Sequence, residues 1–257
     1  MLNNKLFKYV LFDVLRSKVL ISYALLLFGL GYSISSLSAD SGQIAISLLN
    51  LVLLLVPLVS VIFSTSYLYN LGDFLDLLLA QPVSRKEVFL GQYLGLASAL
   101  AIGFAVGLGI PILLAGLTES LLWLLIVGVI LSFVFTGLGF FAVTWQSDRV
   151  RGMAVSLLVW FYMAILFDAL VLLGLVAFQD YPLETPTLVL SFLNPVDLAR
   201  ILILLKLDIS ALMGYTGALY SSLFGSWWGL GLALGALGVW IAAPILLALK
   251  LFQRKDC

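Results

Sequence analysis

The sequence predicts an all-α integral membrane protein with six transmembrane helices. Three observations predict it. The 257 residues are 63% apolar and 10% charged, with a mean hydropathy of +1.19, whereas a soluble domain carries roughly 25% charged residues. Apolar runs of about 20 residues, the length a helix needs to cross the hydrocarbon core, recur along the chain. Of the 13 basic residues, only Arg200 and Lys206 fall outside one alternating set of connections.

Taken in order, the first element is an amphipathic segment at about residues 3–17. Leu6, Phe7, Val10, Leu11 and Val14 form an apolar stripe, while Lys5, Lys8, Asp13 and Arg16 lie away from it. This pattern predicts a helix lying on the inner leaflet. The apolar run behind it is too long for the core of a signal peptide, so both are read as retained. Spans follow near Val19–Ser36, Ile44–Tyr67, Val88–Gly116, Ser120–Trp145, Met153–Phe178 and Trp227–Leu249. Irregular backbone cannot face lipid, so each span is predicted to be helical. An even number of spans puts both termini on one side. Lys5, Lys8, Arg16, Lys18, Arg85, Lys86, Arg149, Arg151, Lys250, Arg254 and Lys255 share that side, which makes it cytoplasmic. The expected topology is therefore multi-pass, with both termini cytoplasmic.

Within the spans, Pro57, Pro111 and Pro244 are each expected to kink or end a helix. Gly91, Gly95, Ala99, Gly103 and Gly107 form a ridge of small residues on the third span. Gly231, Gly235 and Gly238 recur on the sixth. Both sets favour close helix packing, within one subunit by preference over a dimer seam.

The connection at about 69–87, between the second and third spans, is unusually apolar for a charged loop. Leu71–Leu79 predicts about two helical turns with Asp73 and Asp76 on one face. Gln81-Pro82 stops that helix. Ser84 and Glu87 then form a capping box, with Val83 stapled to Val88, and open the third span. Force on the short helix would pass into that span.

The segment at about 179–226, outside the membrane between spans five and six, is also largely apolar. Asn194 caps a helix that has Pro195 at its first position and Asp197 in its first turn, running to Leu207. At about 13 residues it is too short to span, so it either lies at the outer interface or dips into the bilayer. Asp168 lies about 15 residues, roughly 22 Å, along the fifth span. A carboxylate at that depth marks either a structural polar contact or a transport or gating role. Its partner is Ser132, Tyr162 or, if the outer helix dips inward, Arg200; otherwise it is protonated.

Composition excludes several chemistries. Zero net charge provides no field for nucleic acid. The absence of histidine removes the zincin motif, Ser–His dyads and most copper or zinc sites. The single cysteine, Cys257, forms no disulfide within the chain. Met153 and Met163 are about 15 Å apart along one helix, so no copper relay and no metal site are expected here. No G-x-x-x-x-G-K-[ST] motif occurs, so no P-loop nucleotide site is expected in this chain. No catalytic residue is expected. A secondary transporter would show repeated halves or ionisable residues on several spans, and neither is seen.

The stretch GDFLDLLLAQPVSRKEVFLGQYLG resembles the coupling region of ABC-2 type exporter permeases (type V exporters), including Gly72, Leu77, Pro82, Ser84, Arg85 and Gly91. Tyr69-Asn70 stands where that family often has an acidic residue. ILFDALVLLGLV at Ile165–Val176 and FLNPVDLAR at Phe192–Arg200 are similar to segments of the NosY-type permeases of nitrous oxide reductase maturation. The resemblance runs through nearly the whole chain. It implies a single transmembrane domain over 1–257 with an N-terminal elbow helix, a cytoplasmic coupling helix and short outer helices. It implies ATPase coupling through Asp73, Phe74, Asp76, Leu77, Pro82 and Arg85. It also implies a second copy of the chain, a cytosolic ATPase of the NosF kind and a periplasmic β-helical partner of the NosD kind. Mechanical transmission in copper-site maturation is the favoured function, and export of a lipid, drug or polysaccharide the alternative.

Overall fold

The computed structural model describes residues 2–37, 41–72, 84–178, 189–206 and 227–254. Among them are α1 (Leu2–Leu15), α2 (Lys18–Leu37), α3 (Ser41–Asn70), α4 (Arg85–Ala115) and α5 (Glu119–Trp145). They continue with α6 (Arg149–Ala177), α7 (Pro195–Lys206) and α8 (Trp227–Arg254). The six long ones, α2 to α6 and α8, are apolar and long enough to cross a membrane. Their bounds fall within a few residues of the expected spans. Asp73, Phe74, Asp76, Leu77 and Pro82 lie outside the described residues.

Short polar side chains start the helices where the sequence places them. The Ser17 hydroxyl accepts from the Leu20 amide (3.2 Å), Ser84 from Glu87 (3.2 Å), and Asp148 from Arg151 (2.8 Å). Each satisfies an amide that the first helical turn leaves without an intrahelical partner. Ser84 therefore caps α4 as expected, with Arg85 as its first residue.

The core sits around α4, the most buried span, and α5. Phe89, Tyr93 and Phe140 pack edge to face, and the Tyr93 hydroxyl donates to the Phe133 carbonyl (3.0 Å). Between helices in lipid, packing and hydrogen bonds of this kind replace the hydrophobic drive. The ridge on α4 packs within the chain. A Cβ on Gly107 would stand 2.7 Å from the Ala24 carbonyl oxygen of α2, and one on Gly95 would stand 2.8 Å from Val10 of α1.

Two expectations are corrected. The apolar stripe of α1 does not rest on lipid: Val10 and Val14 are buried, and α1 packs against α4. A Cβ on Gly231, Gly235 or Gly238 of α8 would meet nothing within 4 Å. These glycines do not serve packing among the described residues, because Ala233, Leu237, Ile245 and Ala248 bury the other face of α8. Of the two outcomes expected at Pro57, Pro111 and Pro244, a kink or a helix end, the second does not occur: each lies inside a continuous helix, as neighbouring helices allow in a membrane bundle.

Candidate functional site

The functional candidates that the structure brings together lie along α6, the least buried span. Helix direction puts the start of α6 at the same end of the bundle as the end of α3 and the start of α4. This is the basic end, which carries Arg85, Arg149 and Arg151.

At the basic end, the Tyr69 hydroxyl of α3 reaches the turn before α6. Carbonyl oxygens of Gln146 (2.7 Å) and Asp148 (3.2 Å) stand within hydrogen-bonding distance of it. Gly152 makes room for this: a Cβ there would overlap the Tyr69 ring and hydroxyl. One turn along, the buried hydroxyls of Thr65 and Ser156 pair at 2.8 Å. A further turn along, the Trp160 indole donates to the Leu54 carbonyl (3.2 Å). Asp148, Gly152, Ser156 and Trp160 are four residues apart, so one stripe of α6 is tied to α3 along its first half.

A wide π turn at Tyr162–Leu166 follows, closed by the Phe167 amide bonding the Tyr162 carbonyl. Such turns hold an additional residue and often mark functional sites. The Asn194 side chain joins this turn to α7. Its amide nitrogen donates to the Met163 carbonyl (2.8 Å), while its oxygen accepts from the Val196 amide (3.0 Å). Asn194 is fully buried. The cap expected of Asn194 is present, and the same side chain also fastens α7 to α6. Pro195 opens α7, where its missing N–H costs no helical bond.

Beyond the π turn, Arg200 of α7 contacts Asp168 of α6 at 2.5 Å and Asp197 at 3.5 Å. Of the partners proposed for Asp168, the structure selects Arg200. The Ser132 hydroxyl instead bonds the Gly128 carbonyl of its own helix (2.9 Å). Arg200 comes within reach because α7 dips inward. Val196, Leu198, Ala199, Ile201, Leu202 and Ile203 are buried, and α7 packs against α5, α8 and α3. The segment before α7 is held by the Trp240 indole of α8, which donates to the Phe192 carbonyl (3.1 Å). Burial holds the Asp197 carboxyl above the usual carboxylate range. Asp168 adds to that shift, while Arg200 and a hydrogen bond from Ser191 oppose it.

Sequence reasoning missed Tyr69, Gly152, Ser156 and the Met163 carbonyl. Among the described residues, no group of three or more Cys, Asp or Glu side chains could hold a metal ion. Polar ties therefore run along α6 from its start to Asp168, joining it to the end of α3 and to α7.

Comparison with known proteins gives the chain relatives of one kind. A family model described as "ABC-2 family transporter protein" matches residues 74–257. Two proteins named "Probable ABC transporter permease protein NosY" are 30% identical to the chain. The one from Stutzerimonas stutzeri aligns over 95% of both chains. The one from Pseudomonas aeruginosa aligns over 95% of this chain and 94% of its own.

Proposed function

The chain belongs to the ABC-2 transporter family, and on that premise we propose that it is a NosY-like permease subunit. In this reading it couples ATP hydrolysis on a separate ATPase to movement of a periplasmic partner in copper-site maturation of nitrous oxide reductase. It sits in the bacterial inner membrane as a homodimer, with both termini cytoplasmic. ATP and Mg bind the NosF-like ATPase, and the periplasmic partner is a β-helical protein of the NosD kind.

The observation that carries the reading is the line of ties on α6. Tyr69 lies four residues before segment 73–83, where the resemblance puts ATPase docking. Its hydroxyl, within hydrogen-bonding distance of the Gln146 and Asp148 carbonyls, links the end of α3 to the start of α6. At the other end, Asn194 and Arg200 fasten α7 to the same helix. A push on the coupling segment is thereby carried to the outer face without a substrate crossing the bundle. A sequence identity of 30% over 95% of the chain supports the choice of NosY-like members over other ABC-2 permeases.

Co-purification from cells in mild detergent tests this. Recovery of a cytosolic ATPase together with a periplasmic β-rich protein is the expected result. ATPase activity stimulated by a lipid, drug or polysaccharide, with no periplasmic partner recovered, would favour the exporter alternative.

A further inference from the structure

The face of α1 turned away from α4 lines a cavity of about 580 Å³ with Lys5, Lys8, Tyr9, Phe12, Asp13 and Arg16. The mechanical account uses none of these residues. Helical spacing sets Lys5, Tyr9, Phe12 and Arg16 on one face, opposite buried Val10 and Val14. Three cations therefore border the cavity against one carboxylate, Asp13. Tyr9 and Phe12 are 59% and 57% exposed. An aromatic beside a cation suits the headgroup level of a bilayer. Ser17 caps α2 directly behind Arg16, and α2 continues with the exposed apolar residues Val19, Ile21 and Leu25. A ligand with an anionic head and apolar tails fits this succession.

We propose that this face of α1 is a binding site for an anionic glycerophospholipid. Arg16 binds the phosphate, its guanidinium able to fork across two of its oxygens, while Lys8 and Lys5, about 12 and 17 Å back along the helix, add positive potential along the groove that favours an anionic headgroup. Tyr9 and Phe12 cover the glycerol region, and the acyl chains run along α2. The bound lipid fixes the height of α1, and through Val10 the height of α4, in the membrane. The inference rests on the proposed orientation only for its leaflet, which is then the inner one.

The test uses the full-length chain in neutral detergent, titrated with phosphatidylglycerol or phosphatidylcholine, with retained lipid counted by native mass spectrometry. Preferential retention of phosphatidylglycerol is expected. Each cation near an anionic lipid contributes about fivefold in affinity, so the triple variant K5Q/K8Q/R16Q loses on the order of a hundredfold. Asp13→Asn strengthens retention, and Lys250→Gln, which lies outside the cavity, leaves it unchanged. Equal retention of the two lipids, or wild-type retention by the triple variant, overturns the proposal. So does displacement by millimolar inorganic phosphate, which would reveal a soluble-anion site. So does loss of the co-purifying ATPase from the triple variant with its lipid retention unchanged, which would reveal a protein-docking face. Detergent exposes both faces of the protein, so the titration is independent of orientation. The orientation fails separately if Cys257, the single cysteine, reacts with an impermeant maleimide from the periplasmic side.

Discussion

Arg200 stands between two carboxylates that are not equivalent. Asp168 contacts it at 2.5 Å from the spanning helix, whereas Asp197 contacts it at 3.5 Å from its own helix. Asp168→Asn is predicted to leave assembly intact but to uncouple ATPase activity from maturation, measured by ATP turnover against copper-site content of the reductase. Lost assembly would assign Asp168 a structural role alone. Asp197→Asn is predicted to do the reverse and stabilise the protein at neutral pH. Its raised folded value means that the folded chain favours the protonated acid. The cost of ionising it is present at neutral pH and is relieved as pH falls through that raised value. The gain in Tm of the variant over wild type is therefore expected to shrink on acidification. Tyr69→Phe removes one hydroxyl hydrogen bond at the start of α6 and is expected to cost about 0.5–1.5 kcal/mol in stability. Its larger effect is expected on coupling, seen as ATPase turnover that no longer drives maturation. Tyr69 was not legible as a functional residue, because a tyrosine near the end of a span is ordinary in the interfacial aromatic belt. Only the fold brings the Gln146 and Asp148 carbonyls to it. Asp168 was legible because a carboxylate within a span is costly, but three partners were open until the position of α7 selected Arg200.

At the scale of elements, span positions were legible because lipid accepts only helices at a length set by membrane thickness. The caps at Ser84 and Asn194 were legible because short polar side chains bond amides in the first turn. The π turn at Tyr162–Leu166 was not. YMAIL contains no Gly or Pro, and its wide turn is held from outside by the Asn194 amide. The stripe on α1 was read as facing lipid because periodicity identifies an apolar face and not what covers it. Deleting Ala164 removes the additional residue and should return this segment to a regular α-helix with the rest of α6 on nearly the same face, drawing the Met163 carbonyl back into the helical ladder and away from Asn194. The expected result is a folded chain with coupling as poor as in Asp168→Asn; full coupling in this deletion would show that the π turn has no positioning role. For the coupling segment, Asp73→Lys combined with Asp76→Lys is expected to weaken ATPase docking in a pull-down. Unchanged docking would mean that the ATPase grips elsewhere.

The whole molecule divides into a well-packed part and a more exposed one. α4 and α5 are buried among α1, α2, α3 and α8, while α6 is little buried and depends on its ties to α3 and α7. A helix held at discrete points along one stripe can shift as a rod, which a helix packed on all sides cannot. The most direct measurement is an electron–electron double resonance distance between labels at exposed Leu37, at the end of α2, and Leu193, just before α7, in the complex with its ATPase. The account predicts that ATP changes this distance in the wild-type background and leaves it unchanged with Asp168→Asn, while both complexes hydrolyse ATP. An ATP-driven change of the same size in both backgrounds would contradict transmission through α6.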